Sequence, residues 1–272
     1  MGIQKKTTTR ERRGKVPGES GVSVTGKILA LLEVFSQETP ALTLTELSRR
    51  TGLSLPTVHR RAAELVAWGA LERGPDRRYR VGLRLWELAA LSPRGHGIRD
   101  IALPFLQNLY DASKQQHIHL SVRNHLDVVI LERLSAPRAP QVISRAGGRF
   151  GTFATGAGLV LLAHAPEDVR EEYLRGPLPR YTGSTVTDPG LYRSLLAAVR
   201  RQGYSSSDRM MGPDIHCVGA PIYGPDDSVA AAVSLCFRSG TRSVQDVAPS
   251  VRATARSISR ALAGPFPPRS SP

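Results

Sequence analysis

The chain has 272 residues, enough for two domains of ordinary size, and its 37 Lys+Arg against 23 Asp+Glu give a formal charge of +14. No apolar run approaches the ~20 residues of a membrane span, so no membrane partner is expected. The two cysteines, Cys217 and Cys236, lack the spacing of a zinc site and suit a reducing cytoplasm rather than a secreted scaffold.

Charge placement says more than the total. Residues 1–99 hold 18 Lys+Arg and 9 Asp+Glu, so most of the excess lies there, which points to a polyanionic partner at that end. Arg outnumbers Lys by 32 to 5, as a GC-rich coding bias would also produce. The basic start, KKTTTRERRGK, has no apolar core behind it and is not a secretory signal. Residues 1–20 are expected to form a disordered basic tail.

From Thr25, the spacing of Ile28, Leu31, Leu32 and Phe35 predicts an amphipathic helix. Leu44 and Leu47 begin a second helix, ended at Thr51-Gly52 where a turn needs positive φ. A third opens at Ser54, whose hydroxyl suits an N-cap, with Pro56 tolerated in the first turn. Its apolar residues Leu55, Val58, Ala62, Leu65 and Val66 share one face, and Thr57, Arg60, Arg61 and Glu64 occupy the other. A two-stranded ribbon follows, Ala70–Arg73 and Arg77–Val81, turned at Gly74-Pro75-Asp76. This order is a winged helix-turn-helix. Short polar groups and Arg at the start of such a third helix suit base edges in a major groove, and a basic wing suits phosphates. The candidate DNA-binding residues are Ser54, Thr57, His59, Arg60, Arg61, Arg73, Arg77 and Arg78. A buried helical hairpin with a solvated arginine face is the competing reading, and His59 serves packing as well as it serves base contact.

Leu83–Leu91 predicts a further helix, broken at Ser92-Pro93-Arg94-Gly95, where the domain boundary is placed. The helix beginning near Ile98 is expected to link the halves. HIHLSV and DVVILERL read as a hairpin across Arg123–Leu126, and a short strand is expected at Gln141–Ser144. The Gly-rich RAGGRFGTFATGAG leads into an apolar helix at Leu159–Ala163. Pro166–Leu174 and Leu191–Gln202 read as helices, and CVGAPIYGPDDSVAAAVSLCF as a hairpin of two buried strands. A final helix spans Val244–Ala263. The fold class is α+β in two domains, the second a mixed α/β effector domain. The expected boundaries are 21–92 for the winged helix-turn-helix, 93–116 for a linker helix and 117–264 for the effector domain, with 265–272 a disordered tail.

Several blocks resemble the IclR family of bacterial transcriptional regulators. They are T-x-K-I-L-x-L-L-x-x-F (Thr25–Phe35), LTLTELS-x-x-TGLS (Leu42–Ser54) and YRVG (Tyr79–Gly82). In the second half they are FATGAGLVLLA (Phe153–Ala163), Gly203-Tyr204 and CVGAPI (Cys217–Ile222). The resemblance implies a GAF-like effector domain, a homodimer or homotetramer, and a small organic effector, often a carboxylate. The residues themselves add that Thr155-Gly156-Ala157-Gly158 sits where a loop enters a helix, an end that favours anions. Gly156, Ala157, Cys217, Ser234 and Cys236 match the family's pocket positions, and Thr155 adjoins them. The family's acidic run after Gly-Tyr is replaced here by Ser205-Ser206-Ser207-Asp208, which puts Ser207 at the acidic pocket position beside Asp208.

Other readings compete at these positions. The small residues of 156–158 also suit close helix–sheet packing, and buried cysteines are usually small hydrophobes. His117 and His119 share a strand face, as a metal pair would, without an evident third ligand. An enzyme using Cys217 lacks a base, because His216 alternates to the opposite face. The sequence therefore reads as a non-enzymatic, ligand-responsive regulator of double-stranded DNA, with repression the favoured mode and no cofactor or metal. A constitutive DNA binder whose second domain only oligomerises is the alternative.

Overall fold

The computed structural model describes residues 23–113, 116–136, 144–150 and 153–264. The expected tails at 1–20 and 265–272, and nearly all of the strand expected at 141–144, lie outside these. The chain divides into two units between Ser92 and Pro93.

In the first unit, α1 (Val24–Glu33) is followed by β1 (Ala41–Leu42) and α2 (Leu44–Thr51). Thr43 and Glu46 close a capping box at the start of α2, and Gly52 ends it at φ 70°. Then come α3 (Leu55–Trp68), β2 (Leu71–Arg73), β3 (Tyr79–Val81) and α4 (Leu83–Ala90). Leu31, Leu47, Val58, Ala62 and Leu71 are buried together and lock the helices onto the ribbon. The ribbon has a third member that the sequence reading lacks, since β1 pairs with β3 opposite β2. Ser54 stands at the N-cap of α3 without the expected side-chain cap; its Oγ donates instead to Thr57 Oγ1 at 2.9 Å.

The second unit opens with a π-helical turn, Pro93–Gly97, and α5 (Ile98–Ser113). The strands β4 (His117–Asn124), β5 (Asp127–Ser135) and β6 (Arg149–Phe150) precede α6 (Gly156–Ala163), α7 (Glu167–Arg175) and α8 (Pro189–Gln202). Finally come β7 (Ser205–Asp208), β8 (Ile215–Tyr223), β9 (Val229–Arg238) and α9 (Val244–Ala263). The sheet runs β6-β5-β4-β9-β8-β7 with every neighbour antiparallel.

One sheet face packs on α5 and α9 through Ile118, Leu120, Val218, Val233, Leu235 and Phe237. α5 is thus part of this core, with Ala102, Leu106 and Leu109 buried, rather than a bare linker. Arg99 of α5 also pairs with Glu132 of β5 at 2.6 Å. The other face is covered by α6, whose residues are all buried, as an apolar helix without a polar stripe must be. Tyr192, Leu196 and Val199 of α8 close over it.

Candidate nucleic-acid interface and effector site

On α3, Ser54, His59 and Arg60 are exposed and Thr57 is half-buried. Arg61 lies differently. Its side chain is only 13 % exposed, with Nη1 at 2.6 and 2.8 Å from the Glu64 carboxylate oxygens. In the wing, Arg77 is exposed at the tip with φ 58°, and Arg73 places its guanidinium 5.7 Å over the Tyr79 ring. Arg78 turns back, donating to Glu46 Oε2 at 3.1 Å and Ala41 O at 3.2 Å, so it braces the ribbon against α2. Arg80, outside the expected DNA-binding set, grips Asp76 at 2.6 Å and holds that carboxyl down at about 2. Arg60 and Arg77 therefore present their charge outward, while Arg61 and Arg78 spend theirs within the unit.

The second cluster lies where the sheet meets α6. Thr155 caps this helix, its Oγ1 accepting from Gly158 N at 2.9 Å. Gly156 passes so close to β8 that an added Cβ would lie 3.0 Å from Cys217 Cβ. Ser205 and Ser207, on β7, donate to Gly156 O and Ala154 O, both at 2.6 Å, and so anchor the loop and helix start to the sheet edge. Asp208, expected beside them in the effector site, alternates to the opposite face. There it accepts from Ser239 Oγ at 2.7 Å and lies 3.5 Å from His216 Nδ1. Cys217 and Cys236, expected as separate thiols, are direct partners in the β8–β9 register and are joined as a disulfide.

Farther along this face, His117 and His119 of β4 are buried with ring centroids 6.1 Å apart. His119 Nε2 meets Ser144 Oγ at 2.9 Å, and its Nδ1 is 3.8 Å from Cys236 Sγ. Burial above all, then the charges of His117 and Arg133, depress the His119 imidazole to about 3. Ser234, also buried, is the register partner of His119 on β9. Arg133, its partner on β5, donates to Ser144 O and has a buried Nε without a hydrogen-bond partner. Among the described residues no three His, Cys, Asp or Glu side chains gather as metal ligands would. A guanidinium, two imidazoles and hydroxyls facing small residues suit a polar, anionic organic molecule instead.

The sequence does not mark Arg133 as a site residue, because a bulge hides it. The β4–β5 register shifts between Leu120 and Ser121, where Ser121 faces Ile130 but Leu120 faces Glu132. The extra residue reverses the alternation and carries Arg133 to the His119 face.

Comparison with known proteins gives two family matches. Residues 91–260 match the family described as "Bacterial transcriptional regulator IclR C-terminal", and residues 24–75 match the "IclR helix-turn-helix domain". The HTH-type transcriptional regulator BhcR of Paracoccus denitrificans is 28% identical, covering 86% of this chain and 84% of its own. The acetate operon repressor of Salmonella typhimurium is 26% identical, covering 93% and 97%. Among solved structures, an IclR homolog from Microbacterium hydrocarbonoxydans complexed with 4-hydroxybenzoate is 36% identical, with TM-score 0.84 over 88% of this chain and 99% of that one.

Proposed function

Because this chain belongs to the IclR family of bacterial transcriptional regulators, we propose that it is a cytoplasmic repressor released from, or recruited to, its operator by a small aromatic carboxylate. As a family member it has a DNA-binding helix-turn-helix domain and an effector-binding C-terminal domain, and its relatives are named as regulators, not enzymes. The finer reading rests on one observation above all: Arg133 holds an unpartnered Nε on the same sheet face as His117, His119 and Ser234. A carboxylate accepting from that guanidinium would satisfy a donor otherwise left buried and unpaired. The hydroxyls and imidazoles of the same face suit a ring hydroxyl, as the 4-hydroxybenzoate complex of a relative also suggests.

Arg60 and Arg77 are assigned to DNA, with Ser54, Thr57 and His59 at the groove and Arg73 on the backbone. In a homodimer or homotetramer the effector acts by population shift, favouring the arrangement in which two recognition helices do or do not meet paired half-sites.

The test is titration of the full-length protein with 4-hydroxybenzoate by calorimetry, beside the Arg133→Met variant. A charge-assisted hydrogen bond contributes roughly 1.5–3 kcal/mol, so the variant should bind about 10- to 150-fold more weakly. Equal affinity in the two proteins would remove Arg133 from the site. Failure of 4-hydroxybenzoate and of benzoate to bind either would reject the aromatic carboxylate class.

A further inference from the structure

We infer that the Cys217–Cys236 cystine is a reversible redox switch built into the effector face, so that this regulator reads thiol–disulfide balance as well as a small molecule. The inference rests on the preceding reading only in taking this face as the one that controls DNA binding.

The position of the cystine carries it. It crosslinks β8 to β9, neighbouring strands in the middle of the sheet, with the two Cα atoms 4.0 Å apart. Both residues are buried, Cys217 at 7 % exposure and Cys236 at 3 %. Nothing structural calls for a staple there. The two strands already pair continuously from Ile215↔Arg238 to Ile222↔Ala231, and the loop they close is a short hairpin. A protein that works on chromosomal DNA does so where thiols are kept reduced, and disulfides in that setting are usually transient and catalytic or redox-sensing.

The surroundings couple the bond to the site. The first turn of α6 rests on Cys217, where a Cβ added at Gly156 would lie 3.0 Å from Cys217 Cβ and 3.2 Å from its backbone. Two thiols cannot approach as closely as two bonded sulfurs, so reduction drives them apart, against Gly156 on one side or His119 on the other. It also places the Cys236 S–H donor beside an imidazole that now meets a disulfide sulfur at 3.8 Å. The shape and hydrogen-bonding character of the effector face thus differ between the two states.

The reaction is thiol–disulfide exchange with a small thiol. An incoming thiolate attacks Sγ of Cys217, the more exposed of the two residues, and Cys236 Sγ leaves as the thiolate and takes up a proton. A second small thiol then resolves the mixed disulfide at Cys217. Two small thiols become one small disulfide, and the protein gains two electrons and two protons as two cysteine thiols. A small disulfide runs the sequence backwards.

The experiment uses the full-length protein, oxidised with diamide or reduced with dithiothreitol, without denaturant. Thiols are counted colorimetrically, and affinity for the DNA upstream of its own gene is measured at fixed salt. Two thiols per chain should appear in the folded reduced protein and disappear on reoxidation, and DNA affinity should differ at least fivefold between the states. The Cys217→Ser/Cys236→Ser double variant should show one affinity under both treatments. Thiols that titrate only after denaturation, or equal DNA affinity in the two states, would overturn the inference. A redox-dependent DNA affinity in a protein that ignores 4-hydroxybenzoate would uphold the switch and reject the effector class. A protein that binds 4-hydroxybenzoate but keeps an inert cystine would do the reverse.

Discussion

Replacing Gly219 with alanine adds one methyl group where β8 passes under the start of α6. Built onto the backbone, that Cβ lies 2.5 Å from Gly156 O, 2.7 Å from Gly156 C and 2.9 Å from Ser205 Oγ, against ordinary contact from 3.4 Å. Most of the obstruction is backbone, so no rotamer change relieves it, and the helix start must lift by about 1 Å in an interior packed like a crystal. Overpacking of this kind costs about 1–3 kcal/mol. The same movement breaks the 2.6 Å bond from Ser205 Oγ to Gly156 O, worth about 1 kcal/mol more. With a urea dependence of roughly 2 kcal/mol per molar, the unfolding midpoint should fall by about 1–2 M. The two tryptophans, Trp68 and Trp86, both lie in the first unit. Circular dichroism therefore follows both units while tryptophan fluorescence follows only the DNA-binding one. The expected result is a circular dichroism transition moved to lower urea and a fluorescence transition left in place. Gly183→Ala, where nothing lies within 4 Å of the added carbon, is the control and should stay within about 0.5 kcal/mol of the parent. An unchanged circular dichroism transition in Gly219→Ala would refute the close approach of β8 and α6, and with it the geometry of the proposed effector face.

Two further outcomes are expected. Arg60→Ala should weaken specific binding to the upstream DNA by about 1–3 kcal/mol, whereas Arg61→Ala should cost less, because Glu64 already holds that guanidinium; electrophoretic titration of both variants gives the order, and the reverse order would move the base-reading role to Arg61. His119 is neutral when folded, with its imidazole lowered to about 3, and regains an ordinary value near 6.5 on unfolding. The unfolded chain then binds the extra proton, so stability is complete above about pH 6.5 and declines by up to about 1.4 kcal/mol per pH unit below it. Urea unfolding at pH 7.5 and 5.0 should show a clearly smaller loss in His119→Asn than in the parent; equal losses would place His119 in contact with solvent.

What could be read from residue order was local. The turn at Thr51-Gly52 and the apolar periodicity of α3 are short-range features. The final helix, expected over Val244–Ala263, is found there, and its Ser243 cap and buried apolar stripe are local features too. Features set by distant partners escaped. β7 is Ser205–Asp208, a run of serines with no strand propensity, held by its register with β8. β1 and β6 have two residues each, too short for any alternation to show. Arg78 reads as one more wing cation until Glu46, distant in sequence, is brought against it. The parity reversal that turns Arg133 inward depends on one bulge, and the pairing of Cys217 with Cys236 depends on the β8–β9 register.

The strand order also dictates when each unit can form during synthesis. All elements of the DNA-binding unit have been made once residue 92 is added, and their contacts are close in sequence, so it can fold while the rest is still being translated. The effector sheet has to wait. β4 is made early, yet His117–Ser121 pairs with Ala232–Cys236, so one edge of β4 stays open until the last strand leaves the ribosome. A nascent chain paused in this interval carries Ile118, Leu120 and Val122 on a strand with one edge unpaired, the kind of edge that recruits other chains. Truncation within the β8–β9 turn should accordingly yield a soluble DNA-binding half attached to an aggregating remainder, whereas a stop at the domain boundary should yield the first half alone.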